Sequence, residues 1–430
     1  MNRKTLRPGN CRDQLASLVA ALLLLTCAVA TTPATAEPPP QQTSAAATNP
    51  PVGETVETTQ TTAPQAVALF YTAVRLGGPI DVGLYVSPGD NAKRPPPKAA
   101  GEPATNPADD RQSGGLGEGP AAVRDRLRRE AAPIAEAAFA EARRLDRILS
   151  DYDPESDTRQ LAAALAAGES RVVPYDLARV LRLSRDWAER TDRAFDPTLG
   201  SLTSTWRRAR RRRRMPSPEA LHTARSAAGI GRLDLSLRLN DTPPGSSVAT
   251  ARDFPPGMQF DFGGIAKGYV LDAMAQACND WGVEAYLIDA GGDIVVSVKP
   301  PAGRQTWRIA LAPLRRVKSE PQTFINLQPP FRAVATSGDA AQALEIDGRR
   351  YSHLFDPRTL EPLKRESSVT VLATSGTTAD VLASAFSVLG PDGTRAWLAS
   401  HPDESLAVRI AWIDDDELRT WQSENWPAAE

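Results

Sequence analysis

The chain has 430 residues, 41% of them hydrophobic and 24% charged, with a formal net charge of −2. That length supports one large domain or two moderate ones with a real core, and the composition is that of a soluble globular protein. A near-neutral, slightly acidic balance argues against a general nucleic-acid binder.

The first forty residues, MNRKTLRPGNCRDQLASLVAALLLLTCAVATTPATAEPPP, read as an export signal over residues 1–36. Arg3, Lys4, Arg7 and Arg12 form a positive start, and Leu15 to Ala30 is an apolar run too short for a stable membrane span. Ala34-Thr35-Ala36 is a small-x-small cleavage site before Glu37. An uncleaved N-terminal anchor is a second reading, and a lipoprotein through Cys27 a third, disfavoured by Thr26 ahead of the cysteine. Loss of residues 1–36 would move the formal charge from −2 to −5 and leave Cys278 as the sole cysteine, which excludes an intramolecular disulfide. The expected location is outside the cytoplasm, in the periplasm or at a membrane.

Residues 37–65 are mostly Pro, Thr, Ala and Gln, and a disordered linker is expected there. A folded domain is expected over residues 66–430. Ala66 to Val86 alternates like two strands joined at Gly77-Gly78. Residues 87–120 are again low in complexity and read as an insertion rather than a domain boundary. Helices are expected at Ala121 to Leu149, Tyr175 to Arg190 and Pro216 to Ala228, the last opened by Ser-Pro-Glu. Strands follow at Arg232 to Leu239, Met258 to Phe262, Ala285 to Asp289, Ile294 to Val298 and Trp307 to Ala312, with a helix at Ile265 to Asn279 among them. The C-terminal part reads as a strand at Ser368 to Ala373, helices at Thr377 to Leu389 and Thr394 to Ser400, and a strand at Leu406 to Ile413. Interleaved helices and strands, some spaced for hairpins, predict a mixed α/β or α+β fold with mixed or antiparallel sheets. The run WRRARRRRRM, Trp206 to Met215, reads first as a solvated loop or helix end, with attraction of a phosphorylated ligand or an anionic surface as the alternative.

Five stretches could carry chemistry. In DFGGIAKGY, Asp261 to Tyr269, a Gly263-Gly264 turn leads into a helix, where backbone N–H groups and Lys267 suit an anion; the competing reading is a tight turn with an exposed lysine. It is neither a Walker loop nor GxGxxG. LIDAGGDI, Leu287 to Ile294, reads as a hairpin with Asp293 in the turn. AVATSGD, Ala333 to Asp339, offers the Thr336 and Ser337 hydroxyls before Gly338, as in phosphate loops or a plain Ser/Thr turn. RRYSHLFDPRT, Arg349 to Thr359, places His353 at a strand end, where it is structural or serves proton transfer. In TTADVLASAFSVLG, Thr377 to Gly390, Asp380 and Ser384 share a helix face and offer two hard oxygens to Mg²⁺; otherwise Asp380 is an exposed first-turn carboxylate.

Together with LSDYDPES (Leu149 to Ser156) and AFDPTLGSL (Ala194 to Leu202), these ordered pieces resemble the ApbE-type FAD:protein FMN transferases over roughly Val67 to Ile413. The resemblance implies an ApbE-like fold and an enzyme that uses FAD and Mg²⁺. It would move FMN onto a threonine or serine hydroxyl of an exported or membrane flavoprotein and release AMP. The resemblance also implies Mg²⁺ on the carbonyl of Ala266, Asp380 and Ser384, and phosphate neutralised by Lys267. His353 would act near the acceptor hydroxyl. Gly77, Gly78, Asp261, Gly263, Gly264, Thr336, Ser337, Gly338 and Asp339 would line the nucleotide site. The chain departs from the family pattern at Leu76-Gly77-Gly78, where Met-Gly-Thr is usual, and at Arg193 and Leu360, where glycine is usual. An FAD pyrophosphatase, or an FAD-binding protein with weak catalysis, is the alternative.

Overall fold

A computed structural model describes residues 66–75, 78–87, 119–238, 246–311, 314, 323–338, 343–346 and 349–428. All of them belong to one unit, Thr62–Glu430. The expected signal, the linker and most of the expected insertion lie outside the described residues, as do Leu76, Gly77 and Asp339.

The chain begins with strands β1 (Val67–Arg75) and β2 (Gly78–Val86) and helices α1 (Pro120–Leu149) and α2 (Asp157–Ala166). Next come β3 (Arg171–Pro174), α3 (Tyr175–Arg190), α4 (Gly200–Arg212), α5 (Pro218–Ser226), β4 (Leu235–Arg238) and β5 (Ser246–Ala251). The centre holds α6 (Ala266–Asp280), β6 (Ala285–Ala290), β7 (Asp293–Val296), β8 (Trp307–Ala310), β9 (Phe324–Leu327) and β10 (Ala333–Gly338). The remainder is β11 (Leu344–Ile346), β12 (Arg349–Tyr351), β13 (Phe355–Asp356), β14 (Glu361–Pro362), β15 (Ser367–Ala373), α7 (Gly376–Ser400), β16 (Ala407–Asp414) and β17 (Glu417–Gln422).

Eight strands form one antiparallel sheet in the order β1-β2-β6-β7-β10-β15-β16-β17. The fold is therefore α+β. One sheet face carries the main core, where Leu69, Val82, Ile288 and Val371 meet α1, α6 and α7. Helix α6 presents Val270, Leu271, Met274, Ala275 and Cys278 to that core, an apolar stripe at helical spacing. The other face is covered by the β8–β9 hairpin through Trp307, Ile309, Ile325 and Leu327. A third cluster joins α4 and α5 to Leu344 and Phe355.

The expected hairpin at Leu287 to Ile294 forms, with Ala290 opposite Asp293 and Gly291 and Gly292 at φ 68° and 98°. Two successive positive φ values suit glycine and match the twist of the flanking strands. Met258 to Phe262 is not a strand. Its backbone bonds to a turn instead: Gly200 N–H donates to Gln259 O at 3.0 Å and Asp261 N–H to Pro197 O at 2.7 Å. A Cβ on Gly200 would lie 2.6 Å from Gln259 O, so only glycine allows this approach. The two expected C-terminal helices run on as α7 across a kink at Gly390. Arg193 and Leu360 hold φ of 58° and 59°, the left-handed region in which glycine carries no Cβ penalty.

Candidate active site

The glycine loop is tied down at its start by Asp261. One carboxylate oxygen accepts Gly263 N–H at 2.8 Å, and the other accepts the Thr203 hydroxyl at 2.6 Å and Arg207 at 3.4 Å. Arg207 also bonds Asp151, and its guanidinium lies 4.4 Å from the centroid of the Tyr152 ring. One arginine thus joins the LSDYDPES segment to the loop. Burial, with Asp261 close by, pushes the Asp151 carboxyl above its ordinary range, against the pull of Arg207. The expectation that the arginine run is wholly solvated is corrected at Arg207: it lies on the inner side of α4, between two carboxylates.

Beyond the loop, α6 and α7 touch through backbone. A Cβ on Gly268 would sit 2.1 Å from Gly376 O, and one on Gly376 would sit 2.7 Å from Gly268 O. Asp272 locks this contact by accepting the Gly376 and Thr377 N–H groups and the Thr377 hydroxyl at 2.7, 2.9 and 2.6 Å. These are orphan donors of a helix start, satisfied here by another helix.

That approach buries Asp380. It is 2% exposed, which corrects the reading of an exposed first-turn carboxylate. One oxygen accepts Gly268 N–H at 3.0 Å, and among the described residues no donor reaches the other. Burial raises its pKa to about 7, with Lys267 opposing and Asp293 adding to the rise. One turn on, Ser384 Oγ lies 3.2 Å from Ser337 Oγ, and a Cβ on Gly264 would fall 2.8 Å from Ser384 Oγ. The loop, β10 and α7 therefore converge on one polar spot.

Lys267 reaches across to Asp293, whose other oxygen accepts Thr336 N–H at 3.1 Å. Asp293 is 2% exposed, so it is a buried partner of the lysine and not a solvent-facing turn residue. Burial works against the lysine charge, but Asp293, Asp380 and Asp289 outweigh it and hold the ammonium protonated. The Asp289 carboxyl accepts Gly292 N–H at 2.7 Å, yet burial pushes its pKa to about 6, with Asp81 and Asp293 adding repulsion.

Of the expected site residues, Gly263, Gly264, Ala266, Lys267, Asp380, Ser384, Thr336 and Ser337 are brought together around the first turn of α6. Asp261 anchors the loop from behind. The Thr336 hydroxyl pairs with Thr370 at 3.0 Å, so its backbone N–H, not its side chain, meets Asp293. Gly338 is pressed against β15, where a Cβ would lie 2.9 Å from Ser367 O. Gly78 starts β2, and among the described residues nothing lies within 4 Å of where its Cβ would be. His353 is half-buried in the turn between β12 and β13. That turn is held by Tyr351 and Phe355, whose rings lie 5.1 and 6.1 Å from Trp206, the neighbour of Arg207. Asp151, Thr203, Arg207 and Asp272 were missed from sequence. Asp151 lies in the LSDYDPES motif and Arg207 in the arginine run, where nothing local sets it apart from its neighbours; Thr203 and Asp272 sit within helices without a local signature.

The donors suit Mg²⁺ in chemistry. Asp380 and Ser384 are hard oxygens, and the carboxyl has an oxygen without a protein donor among the described residues. No group of three or more His, Cys, Asp or Glu placed to hold a metal occurs among the described residues, so such an ion would depend on hydroxyl, carbonyl, water and phosphate oxygens.

The ApbE family model matches residues 121–408. The chain belongs to the ApbE family. An FAD:protein FMN transferase of Rhodobacter capsulatus is 31% identical over 58% of this chain, which spans 47% of that relative. An FAD:protein FMN transferase of Vibrio cholerae is 30% identical over 63% of this chain and 79% of its own. The apo flavinyl transferase ApbE of Pseudomonas stutzeri superposes with TM-score 0.62 at 26% identity, covering 84% of this chain and 96% of its own. The relatives that the ApbE-family chain matches are thus transferases by name, and the mixed α+β architecture is shared with solved members.

Proposed function

We propose that the protein transfers FMN from FAD to a threonine or serine hydroxyl of an acceptor flavoprotein, with Mg²⁺, and releases AMP. The observation that carries this reading is the convergence of buried Asp380, Ser384, Ser337 and the Gly264 backbone, packed against Ser384, beside Lys267. Phosphoryl transfer needs charge neutralisation and positioning more than covalent help from the protein. The acceptor oxygen attacks the FMN phosphorus, the bond to the bridging oxygen breaks, and AMP leaves with that oxygen. The hydroxyl proton passes to a base, for which His353 is the candidate.

Asp380, Ser384 and the Ala266 carbonyl would hold Mg²⁺, which when bound neutralises pyrophosphate oxygens. Lys267, steadied by Asp293, supplies a second positive charge on the same side. Gly263 and Gly264 let the backbone come close to the pyrophosphate, and Asp261 fixes their turn. The leader-like first 36 residues support a reaction and an acceptor outside the cytoplasm, in the periplasm or at the membrane.

The test is incubation with FAD, Mg²⁺ and a candidate acceptor, followed by mass spectrometry of the acceptor and an assay for AMP. An FMN-sized gain that disappears with chelator and in Asp380→Asn is expected. AMP without labelling of any acceptor would replace this reading with FAD hydrolysis, and FAD binding without AMP would leave a flavin carrier.

A further inference from the structure

The arginine run is not explained by the site. Arg207 is used inside, but Arg208 and the five arginines from Arg210 to Arg214 are exposed. Among the described residues, Arg208 and Arg211 to Arg214 form no ion pair, and Glu219 is the only acidic residue between Gly200 and His222. The run sits at the exposed, capped end of a helix. Helix α4 ends with Arg213 in the left-handed conformation, capped by Arg213 N–H to Arg210 O at 3.2 Å and Arg214 N–H to Ala209 O at 3.1 Å. The chain then turns into α5, whose start is capped by Ser217 accepting Ala220 N–H. Trp206 and Ala209 fix the inner side of α4 in the third core cluster.

Successive helical residues point about 100° apart. Arg210 to Arg212, followed by two arginines in the turn, therefore spread around the tip of the helix instead of lining one groove. Exposed guanidinium groups spread in this way suit a surface of many independently placed phosphates better than one shaped ligand. Six such charges in a chain of net charge −2 make a local field opposite in sign to the whole molecule.

We propose that the tip of α4 docks the protein on an anionic phospholipid surface. The same helix carries Thr203 and Arg207, which hold Asp261 of the glycine loop. From Thr203 to Arg212 the helix rises about 14 Å. Docking at the tip would therefore hold the glycine loop close to the surface and within reach of acceptors anchored there.

The test is co-sedimentation of the full chain with vesicles of phosphatidylcholine alone or with about one-third phosphatidylglycerol. Binding is expected only to the anionic vesicles, and to fall with salt as screening shortens the range of the field. Replacing Arg210 to Arg214 by Gln should weaken it by at least about 30-fold, since each basic residue near such a surface contributes separately. The corresponding Lys variant should keep most of the binding, because a diffuse phosphate layer needs charge and not the planar fork. Any contribution from the N-terminal residues, whose four basic groups also favour anionic vesicles, is common to wild type and variants, so the difference between them isolates the arginine run. Near-ultraviolet circular dichroism checks that each variant folds. Equal binding by the folded Gln variant overturns the proposal. So does binding to polyglutamate without binding to vesicles, which would identify an acidic protein as the partner.

Discussion

Replacing Gly268 by Ala tests whether the contact between α6 and α7 builds the site. The added methyl would lie 2.1 Å from Gly376 O, 2.4 Å from Gly376 C and 2.7 Å from Thr377 N. All three are backbone atoms, so no side chain can swing away. Restoring ordinary contact requires the two helix starts to part by about 1.3 Å. The hydrogen bond from Gly268 N–H to Asp380, now 3.0 Å, would then be lost, leaving a buried carboxyl short of a donor. Overpacking costs about 1–3 kcal/mol, and a lost hydrogen bond to a buried acidic group about 1.5–3 kcal/mol. The expected destabilisation is about 3–5 kcal/mol in urea unfolding, with loss of flavin transfer even where the variant is folded. Gly78→Ala is the matched control, since among the described residues nothing lies within 4 Å of its added methyl; it should stay within about 0.5 kcal/mol of wild type. A Gly268→Ala protein that unfolds within about 1 kcal/mol of wild type and transfers FMN normally would refute the reasoning.

Three further outcomes follow from the charges and the backbone. Asp289, raised to about 6 in the folded protein, binds its proton more tightly there than in the unfolded chain, where its pKa is about 4. Its contribution therefore lowers stability as pH rises from about 4 to 6, and the loss persists above that. Asp289→Asn keeps an acceptor for Gly292 N–H and should be more stable by about 2–3 kcal/mol at pH 8, with no gain below pH 4; parallel denaturation curves at the two pH values check this. Arg207→Ala strands Asp151 and Asp261, both under one-fifth exposed, and should cost about 3 kcal/mol and weaken FAD binding in a fluorescence titration. Arg213→Gly relieves a left-handed residue at φ 48° on an exposed helix end and should raise stability by about 0.5–1 kcal/mol, read as a shift in the denaturant midpoint.

Much of the fold was legible along the chain because its signals are local. The stripe of Val270, Leu271, Met274 and Cys278 announces α6, and Gly291-Gly292 between two apolar runs announces the β6–β7 hairpin. Met258 to Phe262 misled because alternation marks an extended segment, not its bonding partners. Those partners, Pro197 and Gly200, come from another part of the chain. In the site, ordered short motifs carried the resemblance, and Asp380 and Ser384 were recognisable as one helix face.

The sequence by itself determined which oxygens, glycines and lysine the chain can offer, since residue identity and helical spacing are local properties. Tertiary structure alone decided their state. Asp380 is buried because Gly268 and Gly376 let two helices touch, Asp293 is a buried counter-ion because β7 and β10 pack it against Lys267, and Arg207 is withdrawn from a basic run because Asp151 and Asp261 meet it from distant segments. Burial and charge pairing depend on what approaches from elsewhere in the chain, and no local pattern encodes that approach.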